Sequence, residues 1–190
     1  MPSGTSELKT KSENKGLPGL RGAEHIGFTV PNMEDAVRFF RDVLGCKEYY
    51  DLGEFGAGEG DWMEQNLNVH PRAKIKAMRM LRCGHGSNIE LFEYESPDKR
   101  DAQPRNTDVG GHHIAFYVDD IHAAVAHLKK HDIKVCGEPK LMEGNAEGGE
   151  RWCYFVSPWG MQFELVSYPD GKNYEKDYPD KLWNPLRPAD

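Results

Sequence analysis

The sequence predicts an α+β fold of two tandem βαβββ modules. Three observations carry that prediction. The segment His25-Ile26-Gly27-Phe28-Thr29-Val30 recurs as His113-Ile114-Ala115-Phe116-Tyr117-Val118. Asn88-Ile89-Glu90-Leu91-Phe92 recurs as Gln162-Phe163-Glu164-Leu165-Val166. Each copy of the first segment alternates in polarity as a strand does and runs into a stretch with apolar residues at helical spacing.

Taken in order, residues 1–21 are rich in Lys, Ser, Gly, Thr and Glu. They hold too few large apolar groups to offset the entropy of ordering and read as a disordered tail. From 23 to 30, Ile26, Phe28 and Val30 alternate with His25, Gly27 and Thr29, a strand with two unlike faces. Pro31-Asn32 stops it. Met33, Ala36, Val37, Phe40, Val43 and Leu44 then recur every three or four residues as a helix, with Asn32 as its cap, Glu34 and Asp35 matching its dipole and Gly45 ending it. Strands follow at 47–52, 75–83 and 87–95, the last two joined by a turn at Gly84-His85-Gly86. These elements make a first module over 22–98.

A polar connector, 99–109, leads to the second module, 110–168, in the same order: a strand at 112–118, a helix with Ile121, Ala124, Val125 and Leu128 on one face, and strands near Ile133, at 151–156 and at 161–168. The two histidines lie 88 residues apart (25 to 113) and the two glutamates 74 (90 to 164), so the first copy carries 14 extra residues. Gly53 to Lys74, glycine-rich and holding Trp62 and Met63, is where the excess belongs, as a lid or as a disordered insertion. Beyond Pro169 a C-terminal extension, 169–190, carries Tyr174, Tyr178 and Trp183, aromatic residues suited to lying along a surface of this chain or of a partner.

Composition narrows the function. A net charge of -7 over 190 residues offers no field for nucleic acid. No apolar run is long enough to span a bilayer, and the first twenty residues lack a signal-peptide centre, so the expectation is a soluble cytoplasmic protein. Cys46, Cys83, Cys136 and Cys153 are scattered and form no C-x-x-C pair, and they read as buried or half-buried thiols.

Strand parity selects the chemistry. With Ile26, Phe28 and Val30 under the helix, His25 faces the other way. By the same rule His113, not His112, is its counterpart, and Glu90 and Glu164 share the side of the histidines. Two half-buried carboxylates between apolar neighbours cost several kcal/mol unless paired or metal-bound. His25, Glu90, His113 and Glu164 are therefore the expected ligands of one divalent metal ion, Zn, Ni, Co, Mn or Fe, with water or substrate completing an octahedron. His70, His85, His122, His127 and His131 lie in loops or on the second helix and are not expected to bind it. Trp62, Arg79, Tyr117, Arg151 and Trp152 are candidate substrate contacts, able to bond or stack on a small polar oxygenated molecule.

The segments H-I-G-F-T-V-P, I-E-L-F-E, G-H-H-I-A-F-Y-V-D-D and G-M-Q-F-E-L-V resemble the vicinal-oxygen-chelate superfamily, which includes glyoxalase I, methylmalonyl-CoA epimerase, extradiol dioxygenases and the bleomycin and fosfomycin resistance proteins. The resemblance covers residue 22 to about 169. It implies a curved, U-shaped mixed sheet around the metal and a homodimer, and it leaves open whether the cavity closes within one chain or across two. It also implies an epimerase or isomerase that chelates adjacent substrate oxygens and moves a proton next to a carbonyl through an enediolate, with Glu164 and Glu90 as the catalytic carboxylates. In general style the chain is similar to the glyoxalase-like epimerases of cyclitol biosynthesis, which act on the ketone 2-epi-5-epi-valiolone. A glyoxalase I-like lyase, an Fe(II) extradiol dioxygenase and a drug-binding resistance module are the alternatives. The fourth ligand, Glu90, favours proton transfer over the two-His, one-Glu arrangement of the dioxygenases.

Overall fold

The computed structural model describes residues 16–56 and 58–189. The expected tail falls mostly on 1–15, outside the described residues; 16–19 bend and turn. The first module runs β1 (His25–Thr29), α1 (Met33–Arg38), β2 (Lys47–Asp51), α2 (Trp62–Leu67), β3 (Lys74–Arg82) and β4 (Asn88–Glu95). The second runs β5 (Ile114–Tyr117), α3 (Ile121–Lys130), β6 (Lys134–Leu141), β7 (Arg151–Val156) and β8 (Gln162–Ser167). Each module is a four-stranded mixed sheet with equivalent orders, β1-β4-β3-β2 and β5-β8-β7-β6. The duplication read in the sequence is thus a duplication of topology. Among the described residues no helix is long and apolar enough to cross a membrane.

The helices start where their caps dictate. Asn32 accepts the backbone N–H of Asp35 at 2.9 Å, and Asp120 accepts those of His122 and Ala123 at 2.9 and 3.0 Å. The first helix departs from expectation in its second half. Phe39–Val43 is a π-helical turn, closed by the Leu44 N–H on the Phe39 carbonyl. The neighbours Phe39 and Phe40 are both buried, and both reach Trp159 and Phe163 of the second module at ring distances of 5.3 to 6.2 Å. The wider turn lets two consecutive side chains serve one core face.

That core joins the modules through their helix-covered faces. Phe163 of β8 meets Phe28 of β1 at 6.5 Å, Phe116 of β5 at 5.8 Å and Phe155 of β7 at 5.5 Å. A polar tie adds to it, since His127 Nε2 of α3 lies 2.8 Å from the Val43 carbonyl. Among the described residues the sheets are bonded internally and not to one another, so the faces carrying the polar repeats are left open on each.

Two expectations need correction. Residues 53–74 are neither a bare loop nor an insertion without structure: α2 forms there around Met63, which is fully buried. Only one of its side chains is core, so no apolar period betrays it. The connection still carries the excess, spanning 52–73 against 142–150 in the second module. Cys46 and Cys83 are not thiols but a disulfide, with Cα atoms 4.3 Å apart. They flank the paired residues Lys47 and Arg82, which brings positions 37 apart in sequence side by side at the end of β2 and β3. Cys136 and Cys153 are free.

Candidate functional site

The register of the parallel pairs builds the site. Gly27 of β1 lies beside Glu90 of β4, and Ala115 of β5 beside Glu164 of β8. The residue two before each small partner is the histidine, on the same face one pleat along. Gly27 and Ala115 leave room for each imidazole to lean toward its carboxylate. His25 Nε2 lies 3.2 Å from Glu90 Oε2, and His113 Nε2 lies 3.1 Å from Glu164 Oε2. Both carboxylates are mostly buried, with side chains 16% and 13% exposed, while the imidazoles are more open.

The other nitrogen of each ring is also held. His25 Nδ1 is 2.5 Å from Glu24 Oε2, and His113 Nδ1 is 3.3 Å from the Asn106 side-chain amide. The His25–Glu24 hydrogen bond raises the imidazole above its ordinary range and lowers the Glu24 carboxyl, which Asn88 also bonds. Burial pushes the Glu164 carboxyl up against the pull of His113, with Glu150 adding to the rise. An imidazole fixed through Nδ1 and presenting Nε2 beside a carboxylate is how metal-binding histidines are oriented. The spacing fits as well. Two donors at neighbouring corners of an octahedron with ~2.1 Å bonds are about 3.0 Å apart, close to the 3.1 and 3.2 Å found.

Each pair supplies two donors, and the two pairs do not converge. Among the described residues no three His, Cys, Asp or Glu side chains come together to hold a metal. The reason lies in the fold: the sheets pack through their covered faces, which turns the two polar faces away from a common centre. His112, rejected by parity, instead has Nδ1 3.0 Å from the Gly110 carbonyl.

The candidate substrate contacts divide. Trp152 and Tyr117 lie on the face of Glu164, the first opposite Val166 and the second two residues beyond Ala115 and edge-on to Tyr168 at 5.0 Å. Arg79 does not. It is paired with the buried Leu91, on the covered face, and its guanidinium serves Asp51, Glu48 and Glu34 at 2.6, 3.1 and 3.5 Å. Arg151 pairs with the buried Ser167 and likewise faces away from Glu164. Trp62 packs edge-on against Phe55 at 5.2 Å, and Phe55 bridges Ile75; Ile75 is five residues, about 16 Å of strand, before Met80, the partner of Glu90.

Sequence reasoning missed Tyr154, Glu24 and Asn106. Tyr154 stands opposite Glu164, edge-on to His113 at 5.1 Å and beside Trp152 at 5.3 Å. Its alternation with Trp152 and Val156 was available as a signal. Glu24 was marked only by adjacency to His25, and Asn106, in the connector, by nothing. A cavity of about 620 Å³ opens along the β5 edge, lined by Tyr117, Glu147, Glu150, Glu164, Tyr168 and Lys172 among others.

Comparisons with known proteins agree with this architecture. Residues 24–154 match the family described as "Glyoxalase/Bleomycin resistance protein/Dioxygenase superfamily". A 2-epi-5-epi-valiolone epimerase from Actinomyces sp. is 41% identical over 90% of this chain and 92% of its own. An ethylmalonyl-CoA/methylmalonyl-CoA epimerase from Cereibacter sphaeroides is 32% identical over 62% of this chain and 77% of its own. A glyoxalase family protein from Bacillus cereus, 24% identical, superposes with a TM-score of 0.58 over 83% of this chain and 97% of its own, a likeness of fold.

Proposed function

Because the chain belongs to the glyoxalase/bleomycin resistance protein/dioxygenase superfamily, we propose that it is a divalent-metal-dependent epimerase. Its substrate is a small cyclitol ketone of the 2-epi-5-epi-valiolone type, and the working unit is a homodimer. The observation that carries this reading is the matched pair of His–Glu couples, each spaced as two neighbouring ligands and each incomplete alone. Two copies related by a two-fold axis bring the first couple of one chain to the second couple of the other, twice. His25 and Glu90 then share an ion with His113 and Glu164 of the partner subunit.

Members of the superfamily typically bind a divalent metal. A bound ion would make the C–H next to a substrate carbonyl more acidic. The chain's own residues do the rest. The imidazoles are oriented through Glu24 and Asn106. The carboxylates of Glu90 and Glu164 approach from opposite sheets, so that one removes the proton from one side of the ring plane and the other returns it on the opposite side. Tyr154 and Trp152 narrow the space beside Glu164.

Two relatives named as epimerases support the reaction class. The cavity supports the ring ketone over the acyl-CoA: Asp119, Glu147, Glu150 and Glu164 line it, and carboxylates repel a CoA phosphate while accepting from hydroxyls. The test is incubation of metal-loaded protein with 2-epi-5-epi-valiolone in D2O. Deuterium enters beside the ketone and the epimer accumulates. No exchange with the ring ketone, in protein shown by elemental analysis to carry about one ion per chain, would overturn the reading.

A further inference from the structure

Resting on that reading, one part of the molecule acquires a role that neither the repeat nor the relatives assign. The C-terminal extension is not a free tail. Asn173 and Tyr174 donate their backbone N–H groups to the carbonyls of Gly148 and Ala146 at 2.9 Å each, tying the extension to the β6–β7 connection. Glu175 gathers the rest of it, accepting from the Lys172 backbone at 3.2 Å and reaching Lys181 Nζ at 3.1 Å and Arg187 Nη2 at 3.3 Å. Leu182 N–H reaches the Tyr174 hydroxyl at 3.0 Å. Trp183 then lies on Gly86 in the β3–β4 turn of the other module, so close that a Cβ there would meet its ring at 3.2 Å. The extension is a strap across the end of both modules.

This strap lines the cavity that Glu164 opens into, through Lys172, Trp183, Pro185 and Leu186, and it brings one cation. Lys172 sits with its side chain 17% exposed, its ammonium in an ion pair with the buried Glu150 and 4.5 Å from the centre of the Tyr168 ring. Among the described residues, the cavity lining carries Asp119, Glu147, Glu150 and Glu164 against this single ammonium. Such a lining is mismatched to an anion. It suits a neutral ring with several hydroxyls, each of which donates to a carboxylate and needs one donor for its own lone pairs. Tyr117, Tyr168 and Trp183 add flat apolar faces for the C–H side of such a ring.

We propose that the strap is part of the substrate site, and that Lys172, held in place by Glu150, is the specificity-determining residue that donates to a hydroxyl oxygen of the polyhydroxylated ketone. The ion pair serves this end. An ammonium on a free lysine would lose side-chain entropy on binding, whereas Glu150 and the Tyr168 ring already fix it.

Steady-state kinetics on the metal-loaded protein, by epimerisation of 2-epi-5-epi-valiolone with deuterium exchange as a second readout, tests it. Lys172→Met is expected to raise KM by about 10- to 100-fold, the worth of a charge-assisted hydrogen bond, with kcat changed by less than about threefold. This variant also leaves Glu150 buried without its cation, so the neutral pair Lys172→Met/Glu150→Gln is measured beside it. The pair restores the melting temperature toward wild type, yet keeps the raised KM. A wild-type KM in the pair, or in the single variant, overturns the role of Lys172 while leaving the epimerase reading intact. Wild-type protein that neither exchanges nor epimerises the ketone removes both.

Discussion

If the active site is shared between two copies, two dead chains must rescue each other. One variant, His25→Ala/Glu90→Gln, loses the first couple and keeps the second; the other, His113→Ala/Glu164→Gln, does the reverse. Each alone forms dimers in which every site has only two of its four donors, so each is inactive and metal-poor. Equal amounts, unfolded and refolded together, pair at random, so about half of the dimers are mixed. A mixed dimer has one site with all four donors and one with none. The mixture should therefore recover about a quarter of the wild-type activity, and about a quarter of its bound metal. The fraction follows from random pairing of two half-sites per chain, each spaced for one ion at 3.1 and 3.2 Å, with no cluster of three ligand side chains among the described residues. The assay is specific activity with elemental analysis of the same sample, against wild type carried through the same refolding. A mixture that refolds to dimers and stays at zero on both readouts refutes the shared site. Activity in either variant alone refutes the assignment of its missing couple.

Two further expectations concern the frame around the site. Phe163 is fully buried and touches six aromatic rings, three from each module; Phe163→Ala should cost about 3–5 kcal/mol in urea unfolding, and a loss below about 1 kcal/mol would show that the modules are not held through this ring. The strap should loosen in acid. Glu175 is held below its ordinary 4.5, first by the Lys172 backbone N–H and then by Lys181. A depressed carboxylate stabilises fully above its unfolded value, and that contribution is lost as pH falls through the folded one. Amide protection across 173–187 should therefore fall below about pH 4, and in Glu175→Gln it should already be reduced at neutral pH and lack that acid step; protection that is flat down to pH 3 in the wild type would contradict it.

The sequence was legible where one physical rule governed a whole element. Alternation in β1 and β5 placed Ile26, Phe28 and Phe116 toward the core and His25 and His113 away from it, and the structure keeps that division. The same rule would have removed two candidates. Arg79 is two residues from the fully buried Leu81, and Arg151 two from the buried Cys153. Both belong to the covered face, Arg79 as the centre of an ion-pair cluster. The rule would equally have supplied Tyr154, on the face of Trp152. What parity cannot supply is anything set by contacts distant in sequence. The α2 helix rests on one buried methionine, and the Cys46–Cys83 bridge depends on the β2–β3 register.

The half-sites show where reading by repeat reaches its limit. Duplication predicts that two copies of a ligand couple exist and are equivalent, because each copy folds by the same local rules. It does not predict that they meet, because meeting depends on which faces of the two sheets pack together. Here Phe39, Phe40, Phe163 and Trp159 commit the covered faces to each other. Once that core forms, the couples point away from one another, and each keeps a mostly buried carboxylate whose cost one imidazole only partly offsets. In the dimer proposed above, a second copy joins the two half-sites in a single two-fold arrangement and offsets that cost. Metal binding and dimerisation should then be linked: any ion that bridges the couples favours the dimer by the same free energy by which the dimer favours the ion.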